Sequence, residues 1–240
     1  MKPGIPQTNP VDSRKDVTLF HLANLGVHIG AGAIGILIAI GILFMAKGTL
    51  RHRRQGQLFA LCVLLVCVTA TLGNIFFRFV PVFALLTVLV LYQLLSGWRS
   101  VRTKADGPGG IDAVLTASAV AATGLILFRL QQAPAEVGSN AAVVNATLAA
   151  IAVMLAYDTV RWVFPRTWFG RLWIYDHIYK LIASFGALLS AFAGNTLRFA
   201  QPWSQILPSV IGGLLIIWYF WRQARRDVRP VLLRSPREET

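Results

Sequence analysis

Four histidines, two cysteines and ten carboxylates are the side chains with which this 240-residue chain could do acid–base, nucleophilic or metal chemistry. Their spacing, together with the buried amides, sorts them into two groups. The first begins with His21, Asn24 and His28, at i, i+3 and i+7, on one helix face with Gly32 and Gly35. At 1.5 Å per residue, His28 lies roughly 12 Å along that helix from its outer end. Asn74, Arg78, Asn145, Asn195 and Arg198 fall at a similar depth on other apolar stretches. Their plainest role is interhelical hydrogen bonding that fixes packing; the functional alternatives are a ligand pocket or conduction path, and a metal or haem bound through His28. A haem between two histidines needs them on facing helices. Both outer histidines share one helix, so such a haem would need a partner subunit.

The second group is His52, Asp112, Asp158, Arg161, Asp176, His177 and Lys180, at helix ends on the opposite side. Two imidazoles and three carboxylates suit zinc ligation or general acid–base work. Ordinary structure uses the same residues: Asp158 and Arg161 are spaced for an i,i+3 ion pair, and Asp176 is placed to cap a helix above His177. A proton relay is the third use, because His177, Lys180, Ser184, Ala191 and Asn195 form one stripe along a helix. Seven-helix zinc hydrolases generally carry paired histidines on one helix, and neither H-x-x-x-H nor H-E-x-x-H occurs here. No phosphate-binding glycine loop, dinucleotide fingerprint or Gly-x-Ser-x-Gly elbow is present. Cys62 and Cys67, five apart, face different directions on one helix and serve as small core residues.

The elements that must position these groups are seven apolar runs, at about 20–46, 57–77, 80–98, 113–130, 140–163, 177–198 and 203–221. A helix needs roughly 20 apolar residues to cross the hydrocarbon core. With 55% hydrophobic residues and a mean hydropathy of +0.60, the chain is no soluble domain. Unbroken runs also exclude a β-barrel, whose strands alternate. The expected class is all-α: a polytopic bundle of seven helices over 20–222, between a polar outer tail (1–19) and a basic cytoplasmic tail (223–240). The segment 165–176, rich in tryptophan and arginine, is expected to lie flat at the inner interface. The first run lies too far into the chain, and is too long, for a cleavable signal peptide.

The net charge of +13 is a topological signal rather than a nucleic-acid footprint. With the N-terminus outside, 17 Lys and Arg fall on the inner side and 6 on the outer, the asymmetry of the positive-inside rule. The partners expected are membrane lipids, anionic inner-leaflet lipids among them, and possible membrane-protein subunits.

The stretch His28-Ile29-Gly30-Ala31-Gly32, followed by Lys47-Gly48 and His52-Arg53-Arg54-Gln55-Gly56, resembles a group of uncharacterised bacterial multi-pass membrane proteins that share a domain of unknown function. Tyr92, Gly97-Trp98-Arg99, Asp176-His177-Ile178, Ala183-Ser184-Phe185, Ala191-Phe192, Leu207-Pro208 and Ile211-Gly212 extend the similarity, and Leu181 departs from it where methionine is expected. The resemblance implies a histidine-bearing bundle in the bacterial inner (cytoplasmic) membrane and transfers no catalytic residue. The reading is a non-enzymatic accessory or small-ligand-handling membrane protein. One alternative is a metal- or haem-dependent membrane enzyme using inner-face His and Asp residues, or His28. The other is a structural subunit of a larger complex, joined through the glycine-rich face of the first helix.

Overall fold

The computed structural model describes residues 10–132, 141–200 and 203–232, the side chains of 10–17 and 227–232 excepted. The ends of the two expected tails, 1–9 and 233–240, and residues 133–140 lie outside the described residues. The fold is all-α: α1 (Pro10–Phe44), α2 (Leu50–Phe76), α3 (Pro81–Thr103), α4 (Gly110–Gln132), α5 (Ala141–Val160), α6 (Arg166–Thr196) and α7 (Trp203–Leu232), with 3-10 turns at Lys104–Asp106, Arg161–Val163 and Arg198–Ala200. All seven helices are long and apolar enough to cross a membrane. The chain is therefore a multi-pass helical membrane protein.

Helix boundaries follow local chemistry. Thr49 caps α2 by accepting the His52 N–H at 3.2 Å. Asn74 Oδ1 takes the Val80 N–H at 2.8 Å, closing the turn from which Pro81 opens α3; proline suits a first helical position because no intrahelical partner awaits its missing N–H. Phe164 is extended ahead of Pro165, which ends the α5 segment and starts α6. The expected interfacial segment at 165–176 is not separate. It forms the first turns of a 31-residue α6. Asp176 consequently lies in mid-helix and is not a cap, and its buried ion pair (below) takes the place of capping.

The helices group into two compact units, Met1–Ala84 and Leu85–Thr240. In the first, Ala31, Ile36 and Ala39 of α1 are buried, as are Phe59, Ala60, Val63, Val66 and Cys67 of α2. The second buries Leu85, Leu89 and Leu94 of α3, Ile151 and Met154 of α5, and Ile182, Phe185 and Leu188 of α6. Large apolar side chains such as Leu37, Leu125, Val153 and Leu214 stay exposed, as lipid-facing positions should.

Two glycines set the backbone geometry around the polar interior of the second unit. Gly97 is where α3 meets α6: a Cβ there would collide with the Leu181 side chain and stand 2.8 Å from Lys180 Cβ. Gly107 holds a left-handed φ of 76° in the α3–α4 turn, and a Cβ there would sit 2.7 Å from the Phe169 ring.

Candidate functional site

Four ionisable side chains meet inside the second unit: Asp158 near the end of α5, Arg161 in the following turn, and Asp176 and Lys180 one turn apart on α6. As whole residues none is more than 6% exposed, and Lys180 is fully buried. A buried charge is tolerated only when it is paired and hydrogen-bonded, and the pairing here is dense. Lys180 Nζ donates to both oxygens of Asp158, at 2.7 and 2.8 Å. Arg161 Nη1 donates to Asp158 Oδ1 at 3.0 Å, the i,i+3 pair expected from the sequence. Arg161 Nη2 stands 2.9 Å from Asp176 Oδ2, in ion-pair contact without hydrogen-bond alignment. Two tyrosines complete the arrangement: Tyr92 of α3 donates to Asp158 Oδ2 at 2.6 Å, and Tyr157 of α5 donates to Asp176. Two carboxylates balance two cations, so the network is neutral.

From Tyr92 the network continues outward. Its hydroxyl lies 2.9 Å from Thr116 Oγ1 of α4, and that threonine also donates to the Asp112 carbonyl at 2.9 Å. Asp112, the third residue of α4, reaches back to accept the Gly109 N–H at 2.8 Å and takes a two-pronged bond from Arg99 at 2.9 Å on each arm. It therefore closes the first turn from the third helical position and is not the N-cap itself. Tyr92, Ser96, Asp112, Thr116, Asp158 and Arg161, with Pro108, Leu115 and Trp162, line a cavity of about 10 Å³, room for about one water molecule. Arg161 Nε is buried and finds no acceptor among the described residues. Gln93 Oε1 and Ser184 Oγ, beside Tyr92 and one turn beyond Lys180, are likewise buried without a hydrogen-bond partner.

Neither remaining inner candidate, His177 or His52, is among the side chains bonded in this network as described above. His177 Nδ1 faces the Gly97 carbonyl at 3.3 Å, so that nitrogen carries the proton. His52 lies in the first turn of α2 and belongs to the first unit. Among the described residues no three His, Cys, Asp or Glu side chains come together as a metal site.

The first group is likewise divided. In the first unit, Asn24 donates to the Thr69 carbonyl at 3.1 Å, and His28 Nδ1 lies 2.9 Å from Thr69 Oγ1. Thr69 directs its single hydroxyl proton toward the Leu65 and Val66 carbonyls, at 2.7 and 3.0 Å. His28 Nδ1 must then be the donor, and Nε2 keeps its lone pair. His21 packs edge-on against Phe77, with ring centroids 4.4 Å apart. Asn74 is spent on Val80 and on the Ala70 carbonyl. Asn145, Asn195 and Arg198 belong to the second unit and are exposed; Asn195 donates to Ala191 of its own helix, and Arg198 to the Asn195 carbonyl.

Thr69→Val is expected to lower unfolding free energy in detergent or bicelles by about 1 kcal/mol, the scale of one interhelical hydrogen bond in lipid. A loss no larger than that of the lipid-facing control Ile75→Val would show that the α1–α2 contact does not depend on the His28 bond.

Four participants are not singled out as site residues by the sequence: Tyr92, Arg99, Thr116 and Tyr157. Tyr157 immediately precedes Asp158, and Tyr92 precedes Gln93 inside an otherwise apolar span, which is the signal available in the chain. The chain matches no family model, and no curated protein or solved structure is significantly similar to it.

Proposed function

We propose that this chain is a non-enzymatic, multi-pass protein of the bacterial inner (cytoplasmic) membrane, N-terminus outside and C-terminus inside, and that the small ligand it handles is a proton exchanged at Asp158. The observation that carries this reading is the fully buried Lys180 held on Asp158 inside a membrane-spanning unit. Ionisable residues at such positions are expensive and mark ion pathways and proton relays. Space at the cavity suits water, not a metabolite. Tyr92 links Asp158 to that space: as its hydroxyl proton passes to Asp158, its oxygen can accept one from water on the Asp112 side. Ser184, one turn beyond Lys180, extends the polar surface in the other direction. Bacterial origin and inner-membrane location rest on the resemblance given above and on the distribution of positive charge.

Proton flux into vesicles tests the reading. Protein reconstituted in liposomes holding a pH-sensitive dye, with a potassium diffusion potential imposed, should carry protons about tenfold faster than Asp158→Asn or Tyr92→Phe. Tyr92→Phe keeps the ring and removes only the linking hydroxyl, so it separates the relay from folding. Wild-type vesicles that acidify no faster than protein-free ones would overturn the proposal.

A second reading, a haem- or metal-dependent enzyme, has one observation in its favour: the Nε2 lone pair that Thr69 leaves on His28, the state in which imidazole binds iron or zinc. A Soret band in purified protein that disappears in His28→Ala would favour it over the first.

A further inference from the structure

Six of the seven tryptophans lie toward one end of the second unit, at 98, 162, 168, 173, 218 and 221; the seventh, Trp203, opens α7 at the other end. The ring contact of Tyr175 on α6 with Phe220 on α7, at 5.1 Å, brings the start of one helix beside the end of the other. The Lys104 ammonium, 5.8 Å from the Trp173 ring centre, ties the α3–α4 turn to the same place. Interfacial indoles ordinarily form belts at both membrane faces. Here one face has nearly all of them.

Those rings carry cations. The Arg102 guanidinium sits 4.8 Å over Trp98, Arg222 5.3 Å over Trp218, and Arg225 3.8 Å over Trp221. All four cations are exposed. Lys104 holds its place through a positive φ of 44°, an unfavourable conformation for a lysine. Asp106 is the exposed carboxylate nearby; Asp112, Asp158 and Asp176 are spent on Arg99, Arg161 and Lys180. A guanidinium stacked on an aromatic face is partly ordered, yet its in-plane N–H fork stays open to two oxygens of a phosphate. Indoles settle at headgroup level, so each stacked cation is held at phosphate depth.

We propose that this tryptophan–arginine end of the second unit binds the phosphate of anionic phospholipid headgroups, selecting them over zwitterionic ones. Charge complementarity argues for this occupant: among the described side chains Asp106 is the one exposed carboxylate beside these four exposed cations, and a zwitterionic headgroup brings its own ammonium to compete for the phosphate. The inference does not depend on proton exchange at Asp158.

Full-length protein in nanodiscs containing brominated phosphatidylglycerol or brominated phosphatidylcholine provides the test, read as quenching of tryptophan emission. Bromophosphatidylglycerol, diluted in unlabelled phosphatidylcholine, should quench about threefold more than bromophosphatidylcholine at equal content. Arg222→Gln/Arg225→Gln and, separately, Arg102→Gln/Lys104→Gln should each reduce that preference while helicity is retained. Having two variants on different helices keeps the test valid if one misfolds. Equal quenching by the two lipids in the wild type overturns the proposal, as does a preference unchanged in both variants. A preference abolished by millimolar inorganic phosphate also overturns it, by assigning the site to the free anion.

Discussion

Lys180→Met is expected to destabilise the protein by about 3–5 kcal/mol, because it leaves Asp158 buried with one of its two cationic partners gone. Methionine fills most of the lysine stem's volume, so the loss reports charge rather than a cavity. Pairing it with Asp158→Leu should recover much of the stability: Arg161 keeps Asp176, Tyr92 keeps Thr116, and no uncompensated carboxylate remains at position 158. Denaturant unfolding in mixed micelles, run as a double-mutant cycle over the two positions, measures this coupling. A single-variant loss below about 1 kcal/mol would put the pair in the range of solvated ion pairs and contradict its burial. The same double variant should remain inactive in the vesicle assay, which separates the contribution of the network to folding from its contribution to proton exchange.

Gly97→Leu is expected to rank next. Even one added carbon meets Leu181 and the Lys180 Cβ, and the Gly97 carbonyl also receives His177. Overpacking a tight contact costs roughly 1–3 kcal/mol, and a leucine at a backbone crossing belongs at the upper end of that range. Gly97→Ala should lose about half as much. Because Tyr92 is on the same helix, pushing α3 away from α6 should also lengthen the Tyr92–Asp158 bond and slow proton entry. Wild-type unfolding of Gly97→Leu would show that α3 and α6 are not held at this separation.

The architecture was readable because lipid imposes a length and composition that few other folds require; all seven apolar runs correspond to helices. Within the site, Asp158 and Arg161 were readable because an i,i+3 ion pair needs only one helix. Lys180 reads from sequence as one member of a polar stripe along its helix, but its partner lies 22 residues away on a different helix, which spacing along the chain does not encode. Tyrosine hides its role: the same ring serves as core, interface anchor or donor, so Tyr92 and Tyr157 give no pattern of their own. The first group came apart for a related reason. Asn195 has a carbonyl within reach one turn back on its own helix, so its depth in the bilayer does not require a partner across the bundle. The start of α6 was misplaced because tryptophan and arginine at an interface read alike in a flat segment and in the first turns of a spanning helix.

Helix α4 is attached in an unusual way. Ala119 and Ile126 are its buried side chains, and among the described residues its polar ties to other helices, Arg99 to Asp112 and Tyr92 to Thr116, fall in its first two turns. Beyond Thr116, roughly 24 Å of helix continues. A rod anchored at its root tilts when the hydrocarbon layer thins or thickens. The pivot would be the threonine that touches Tyr92, so bilayer thickness has a mechanical route to the hydroxyl that contacts Asp158.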